Sequence, residues 1–424
     1  MKSRHHHQRR ARIRGFGYLG RLGPGLITGA SDDAPSGSGT YSQVGAAFGF
    51  GLLWTAVVSL PLAAAVQETA ARLGLVTGKG LAVLIKERFS RWVLYLAVLL
   101  VVTANVFNIG ADLGSMAASL RLLAPIPYAP LVALIAVILL VLEILVPYRR
   151  YSRILRWLTL SLLAYIAVLF TVNVRWGTVA RDVFVPSIHG DRAYLVALIA
   201  VFGTTISPYL FFWQASEEVE EEEEKKESPP SYPFDIGHLR AMRVDVVAGM
   251  ASAVAVMFAI MVASAATLHA HGLTTIHTAD QAARALRPIA GRVAGLLFAL
   301  GIVGTGSLAV PVLAGSSAYA VAETFGWPEG LSRKFTEAIG FYGSIAAAMI
   351  VGLVLGFIGI DPIRALYYSA ILNGLAAPPL ILLMLILSRS TGTCGPWRGG
   401  STSTVLLLVA FLVMAGLPIA YLVR

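Results

Sequence analysis

The sequence predicts an all-helical integral membrane protein, and three observations support this fold class. Its 424 residues are 57% hydrophobic and 13% charged, with a mean hydropathy of +0.73, whereas soluble domains have roughly 25% charged residues. Eleven apolar segments are long enough to cross a bilayer, which takes about 20 residues. They are 20–48, 51–74, 92–120, 128–147, 155–174, 193–218, 243–268, 290–322, 337–359, 363–387 and 402–423. The first and the sixth segments are interrupted by proline.

The basic residues predict how these segments are oriented. With the amino terminus inside the cell and the segments alternating, 24 of the 33 Lys and Arg residues fall in cytoplasmic stretches, as the positive-inside rule requires. We therefore expect a protein of the cell (plasma) membrane with a basic cytoplasmic tail at residues 1–19. The net charge of +10 then reflects topology and contact with the lipid bilayer. We expect no nucleic-acid partner, because no basic soluble face is present.

The first and sixth segments share an interruption that indicates two inverted repeats. They read LITGASDDAPSGSGTY and LIAVFGTTISPYLFFW, with Pro35 and Pro208 at similar points. Proline removes a backbone donor and clashes with the preceding turn, so each helix should be broken there. Because five helices separate the breaks, the two halves run in opposite directions, a pattern typical of transporters that bind substrate at two discontinuous helices. Prolines that only kink membrane helices are the alternative interpretation.

This pattern divides the chain into a first repeat at 20–174, a second repeat at 193–387 and an additional helix at 402–423. The acidic run between Ser216 and Pro233 should lie on the cytoplasmic side. Its composition favours a solvated linker over 216–238 rather than a vestibule that gathers cations. The single cysteine, Cys394, excludes an internal disulfide and a thiolate metal cluster.

Two stretches near the start carry a family resemblance. They are GPGLITGASDDAPSGSGTYSQVGAAFGFGLLW at 23–54 and QETAARLGLVTGKGLA at 67–82. They closely resemble the NRAMP (SLC11) family of divalent-metal transporters, which typically reads G-P-G, D-P-G-N, Q-F-G-Y, L-L-W and A-R-L-G-L-V-T-G-K. The resemblance extends to GTTISP in the sixth segment and ILNGLAAPP in the tenth. It implies a LeuT-like fold of inverted five-helix repeats, with helices 1 and 6 broken and an eleventh helix outside the repeats.

The chain departs from the family pattern at the metal-binding positions that the resemblance implies. Aligned on Pro35, the family's metal-binding Asp falls on Ala34 and its Asn on Gly37, while Asp32 and Asp33 lie just before. In an unwound segment one of these carboxylates can reach the same place, and we expect Asp33 to do so. In the sixth segment the family's methionine is replaced by Ser207, beside Thr204. The predicted metal ligands are Asp33, Asp32, Ser207, Thr204, Gly37 and Ala34.

Titratable residues that the family uses for proton movement are also replaced. The two family histidines of the sixth helix correspond to Tyr209 and Gln214, and the D-L-A-E pattern of the third helix corresponds to 108–111. Chains of His, Asp and Glu are the usual proton relays in membranes, so we expect transport without proton coupling. Asp112 is a neighbouring acid, which we expect to line a water path or to pair with Asn105 or Asn108.

The ligand types predict the ion. A thioether favours transition metals and oxygen ligands suit harder cations, while Mg²⁺ keeps several waters and is usually bound through one or two carboxylates. Small residues at 34, 37 and 207 leave room for those waters. The departures match the NRAMP-related magnesium transporters, which implies a monomeric importer of largely hydrated Mg²⁺, and of Mn²⁺, by alternating access. The metal is the transported substrate, and we expect no cofactor and no enzymatic activity.

Three other interpretations stay open. One is a proton-coupled Mn²⁺ or Fe²⁺ transporter of the same family. Another is an amino-acid transporter of the same fold, in which helix dipoles would attract a substrate carboxylate that two aspartates would repel. A membrane receptor would leave the paired breaks unexplained. An enzyme is disfavoured, because the sequence has no metal-hydrolase spacing, nucleophile–His pair or phosphate loop.

Overall fold

A computed structural model describes residues 24–146, 163–172, 174–226, 236–357 and 359–424, which contain helices and no β-strand. The helices are α1 (Pro24–Asp32), α2 (Pro35–Phe48), α3 (Trp54–Thr77), α4 (Leu81–Arg88), α5 (Arg91–Leu120), α6 (Tyr128–Leu145), α7 (Leu163–Val168), α8 (Trp176–Phe184), α9 (Arg192–Thr205), α10 (Pro208–Lys226), α11 (Ile236–Thr267), α12 (Ala279–Ala283), α13 (Arg287–Ala290), α14 (Ala294–Phe325), α15 (Ile339–Leu355), α16 (Pro362–Arg389), α17 (Thr391–Cys394) and α18 (Ser401–Val423). Short 3₁₀ turns lie at His269–His271, Arg284–Leu286, Gly291–Val293 and Gly395–Trp397. The predicted tail at 1–19 and residues 155–162 and 173 of the predicted fifth segment lie outside the described residues.

Seven helical stretches of the described residues are long and apolar enough to cross a membrane. They are Arg91–Leu120, Tyr128–Leu145, Arg192–Glu222, Ile236–His271, Gly291–Phe325, Pro362–Arg389 and Ser401–Val423. Helix α15 is also apolar but has only 17 residues. The first predicted segment is divided between α1 and α2, so neither half reaches the necessary length alone. The chain is therefore a multi-pass membrane protein.

Both predicted breaks are present, and each is followed by a proline. Helix α1 ends at Asp32 and α2 begins at Pro35, while α9 ends at Thr205 and α10 begins at Pro208. Proline is favoured as the first residue of a helix, because the N–H that it lacks has no partner there. The two interruptions thus arise from local sequence, and the neighbouring helices hold them in place.

The divided helices are enclosed by unbroken ones. Helices α1 and α2 pack along α11, α9 packs on α16, and α10 packs on α3. Glycine permits such close approaches: a Cβ on Gly45 of α2 would lie 2.5 Å from the carbonyl oxygen of Met261 on α11. Helix α5 packs against α14, α15 and α16. This arrangement places both breaks in the interior.

The acidic run after the second break is helical, which corrects the prediction of a solvated linker. Helix α10 continues to Lys226, and Ser216, Glu217 and Glu218 are buried. Glu220 accepts hydrogen bonds from the hydroxyl of Tyr319 and from the N–H of Leu331, the latter at 2.8 Å. Because these acids have partners on other elements, the run folds against the bundle. Residues 227–235 of the predicted linker lie outside the described residues, and α11 already begins at Ile236.

A buried carboxylate, Glu68, joins three helices near their predicted cytoplasmic ends. Its Oε2 accepts from Arg72 Nη2 at 2.6 Å and from Ser403 Oγ at 3.2 Å, and its Oε1 accepts from Arg243 Nε at 2.8 Å. Helices α3, α11 and α18 are tied together at this point. Glu68 is therefore a paired acid in the interior of the bundle.

Candidate metal-binding site

The first break places two carboxylates inside the protein. Asp32 is the last residue of α1 and Asp33 lies in the turn, and their exposed fractions are 2% and 8%. Ala34 precedes α2 with an extended backbone, φ −50° and ψ 162°. The two carboxylates interact electrostatically with each other and with the Tyr41 hydroxyl. Adjacent acids with so little water around them need a positive partner.

The second break faces the first. A Cβ on Gly37 would lie 3.1 Å from the Asp32 carbonyl oxygen and 3.5 Å from Thr204 Oγ1. Three of the predicted ligands therefore lie close together: Gly37, Asp32 and Thr204. Ser207 is also buried, but its hydroxyl donates within its own chain, with the carbonyl oxygens of Thr204 at 2.7 Å and Gly203 at 2.9 Å. Ala34 has no polar side chain, so it can offer only its backbone.

Two tyrosine hydroxyls link the helices on either side of the two breaks. The Tyr41 hydroxyl lies 3.0 Å from Thr205 Oγ1 and joins α2 to α9. The Tyr209 hydroxyl donates to the carbonyl oxygen of Ser31 at 2.9 Å and joins α10 to α1. Sequence reasoning did not include Tyr41 or Thr205 in the site and treated Tyr209 only as a replaced histidine. A tyrosine shortly after each proline, six residues beyond Pro35 and directly after Pro208, is the signal that points to these bonds.

The donor set consists of oxygen atoms. Asp32 Oδ1 is buried and has no hydrogen-bond partner in the described part of the chain. Within those same residues, no three His, Cys, Asp or Glu side chains form a group that could hold a metal. Two carboxylates, the Thr204 hydroxyl and backbone carbonyl groups are thus available at the breaks. Such hard ligands suit Mg²⁺, Ca²⁺ or Mn²⁺ rather than a soft metal ion.

Neutral amides occupy the polar positions around the site. Gln214 accepts from Thr28 Oγ1 at 2.5 Å and donates to Glu218 Oε1 at 2.9 Å. Asn108 of α5 and Asn373 of α16 bond to each other, with 2.9 Å between Asn108 Nδ2 and Asn373 Oδ1. The Thr28–Gln214 and Asn108–Asn373 bonds join neighbouring helices through side chains that do not titrate.

The structure does not pair Asp112 with an asparagine, one of the two alternatives expected from the sequence; the other, a water path, stays a prediction. Asn105 donates to Leu313 O and Ser317 Oγ on α14, at 3.2 and 3.0 Å. Asn108 bonds to Asn373 and so links α5 to α16. Both amides therefore bond to neighbouring helices and not to the Asp112 carboxylate.

Comparison with known proteins agrees with this geometry. The family model described as natural resistance-associated macrophage protein-like (Nramp) matches residues 25–424. The chain belongs to the Nramp family. It is 26% identical over 386 residues to the divalent metal cation transporter MntH of Klebsiella pneumoniae (strain 342), covering 89% of this chain and 87% of that protein. It is 28% identical over 390 residues to MntH of Clostridium acetobutylicum, covering 88% and 84%.

Solved structures agree on the fold. A mutant of the Eremococcus coleocola manganese transporter superposes with a TM-score of 0.75 at 19% identity, covering 95% of this Nramp chain and 87% of that one. Mhp1, a nucleobase-cation-symport-1 family transporter, superposes with a TM-score of 0.61 at 14% identity, covering 95% and 91%. The predicted LeuT-like fold is therefore confirmed. Nramp proteins are metal transporters and not enzymes, and the metal is their substrate rather than a cofactor.

Proposed function

We propose that this Nramp protein carries Mg²⁺, and Mn²⁺ as a second substrate, into the cell as a largely hydrated ion without proton coupling. The observation that carries the proposal is the composition of the two breaks. Two buried carboxylates lie beside Gly37, Thr204 and Ser207, where the family pattern has an asparagine and a methionine. An oxygen-only site favours hard cations, and Mg²⁺ is usually held by one or two carboxylates with its waters retained.

Asp33 is the residue that we expect to contact the ion directly. It lies in the turn between α1 and α2 and is the more exposed of the two aspartates. The other proposed metal ligands are Asp32, Thr204, Ser207 and the backbone of Ala34 and Gly37. Ser207 takes part through its lone pairs, since its single proton is donated to backbone carbonyl oxygens at the end of α9.

The neutral contacts around the site support uncoupled transport. Three residues, Asn108, Tyr209 and Gln214, stand at positions where the family resemblance implies an acid and two histidines, and all three make hydrogen bonds. Entry is then driven by the ion gradient and the membrane potential. A divalent ion gains about 4.6 kcal/mol in crossing 100 mV, at roughly 2.3 kcal/mol per charge. We place the monomer in the plasma membrane, with its amino terminus in the cytoplasm.

The relatives favour one alternative, a proton-coupled Mn²⁺ or Fe²⁺ transporter. Relatives in Klebsiella pneumoniae and Clostridium acetobutylicum are named divalent metal cation transporter MntH, and a structural neighbour is a manganese transporter. In that case protons would enter together with the metal. The two proposals differ in ion preference and in the charge moved per ion.

Flux measurements in proteoliposomes with an internal pH dye separate the two proposals. For uncoupled Mg²⁺, the membrane potential at which the flux is zero should move by about 30 mV per tenfold change in Mg²⁺ concentration. A tenfold concentration ratio is worth roughly 1.36 kcal/mol, and two charges balance it at that potential, at roughly 2.3 kcal/mol per charge per 100 mV. This potential should not respond to pH. One coupled proton would give about 20 mV per decade and about 20 mV per pH unit.

Two variants connect the flux to the breaks. Asp33→Ala should abolish uptake, while Asp280→Ala, in an exposed ion pair with Arg284, should leave it unchanged. Acidification that accompanies the metal, or failure of Mg²⁺ to compete with Mn²⁺, would contradict the proposal.

A further inference from the structure

Helix α5 carries a buried carboxylate that the proposed ligand set does not use. Asp112 is 0% exposed, and neither of its oxygens has a hydrogen-bond partner among the residues that the structure describes. Its nearest polar neighbours on α5 are occupied elsewhere, because Asn105 bonds to α14 and Asn108 to α16. An acid inside a membrane protein usually marks a substrate or ion path.

Asp112 faces the first break from the side of α5. Its carboxylate lies against the backbone N–H of Ser36, one residue into α2, without completing a hydrogen bond of good geometry. One turn further along α5, Met116 lies beside Gly306 of α14, and Pro35 lies beside the same glycine. The Tyr209 hydroxyl is within electrostatic range of both Asp32 and Asp112. The break is therefore bordered by carboxylates on two different helices.

We propose that Asp112 accepts hydrogen bonds from the water shell of the transported ion and so acts as a specificity-determining residue for hydrated Mg²⁺. This inference rests on the proposed function, in which the ion keeps most of its waters. Water oxygens lie about 2.1 Å from Mg²⁺, and a hydrogen bond to a carboxylate adds roughly 2.5–2.7 Å. A carboxylate oxygen nearly 5 Å from the metal thus accepts a hydrogen bond from one of the waters bound to the ion.

The arrangement of acids agrees with contact through water. No group of three acids in the described residues lies close enough to ligate one metal directly, so Asp112 is not a third direct ligand beside Asp32 and Asp33. A hydrated ion can contact carboxylates that lie too far apart to ligate one bare ion together. Mn²⁺ exchanges its waters for protein ligands more readily than Mg²⁺, which dehydrates reluctantly. Mg²⁺ should therefore depend on Asp112 more strongly.

A purely structural role predicts a different result. Ala34 provides no side-chain cap for α2, so Asp112 could simply offset the positive end of that helix. Loss of such a cap would weaken folding and would affect Mg²⁺ and Mn²⁺ uptake equally. The chain offers a matched control in Asp361, which caps α16 through the N–H of Ile363 at 3.0 Å.

The test measures KM for Mg²⁺ and Mn²⁺ in proteoliposomes of the full chain, for the wild type, Asp112→Asn and Asp361→Asn. Asp112→Asn should raise the KM for Mg²⁺ about tenfold or more, as expected for a lost hydrogen bond to a charged acceptor, and the KM for Mn²⁺ less than threefold. Hexaamminecobalt(III), whose ammine shell mimics a hydrated ion, should inhibit the wild type and lose potency in Asp112→Asn. Asp361→Asn should change neither the KM ratio nor the inhibition.

The outcomes distinguish this inference from the proposed function. Wild-type Mg²⁺ uptake combined with an unchanged KM ratio in Asp112→Asn would overturn the inference alone. Absence of Mg²⁺ uptake by the wild type would overturn both. If Asp112→Asn does not elute as a folded protein in size exclusion, Asp112→Ser replaces it, and hexaamminecobalt(III) must still fail to inhibit that variant at wild-type concentrations.

Discussion

Replacing Gln214 by leucine should loosen the contact between α1 and α10, the predicted cytoplasmic halves of the two broken helices. In the structure Gln214 accepts from Thr28 and donates to Glu218, at 2.5 and 2.9 Å, and all three side chains are buried. Leucine fills a similar volume but removes both of these hydrogen bonds. A neutral hydrogen bond contributes about 1 kcal/mol and one to a charged group about 2 kcal/mol.

Only the bond to Thr28 spans α1 and α10, and its loss of about 1 kcal/mol corresponds to a shift of roughly fivefold in an equilibrium constant. Opening of α1 should therefore become more frequent by up to that factor, because water satisfies the exposed groups in the open state. Hydrogen–deuterium exchange of the peptide that contains Pro24–Asp32 measures this opening directly, in detergent or nanodiscs.

Gln67→Leu is the control, because both amide atoms of Gln67 are buried without a hydrogen-bond partner among the described residues. The same substitution there removes no bond and should leave α1 exchange unchanged. If α1 exchanges at the wild-type rate in folded Gln214→Leu, or equally fast in both variants, the hydrogen bonds do not hold α1 closed.

Two further predictions concern the cytoplasmic side. Glu68→Gln should lower the unfolding temperature strongly, since it leaves Arg72, which is 1% exposed, without its buried charged partner. Breaking such a pair costs about 3–5 kcal/mol. The control is Glu87→Gln, in an exposed pair with Lys79, which should cost less than about 1 kcal/mol. Equal shifts would contradict this reasoning. Burial raises the pKa of the Cys394 thiol, and nearby Arg72 lowers it only in part, so less reactive thiolate forms at any given pH. Alkylation by iodoacetamide should need a higher pH than alkylation of glutathione, and overlapping pH profiles would refute this.

The breaks could be predicted from sequence because their causes are local. Pro35 and Pro208 each lack a backbone donor and clash with the preceding turn, and Asp32 and Asp33 adjoin the first of them. The structure then placed Gly37 beside Thr204, which the symmetry of the two segments suggested without giving a distance. Signals contained within one segment were thus sufficient for the positions of the two breaks.

Contacts between distant segments could not be predicted in the same way. Asn108 and Asn373 are separated by 265 residues, and the sequence around either residue does not indicate which residue it contacts. The acidic run after Trp213 has a composition typical of solvated chain, but the N–H of Leu331 and the Tyr319 hydroxyl stabilise Glu220 from elsewhere. In each case tertiary packing supplied a partner that overrode the local preference.

The charge of the breaks determines which half of the transport cycle responds to voltage. Arg72 is the one buried Arg or Lys side chain of the described residues, and it is paired with Glu68 far from Asp32 and Asp33. No fixed cation therefore balances the two aspartates. With both carboxylates ionised, the loaded site is close to neutral and the empty site is negative, so the field acts mainly on the empty carrier as it returns. The membrane potential then sets the turnover rate, and the affinity for the ion changes little with voltage.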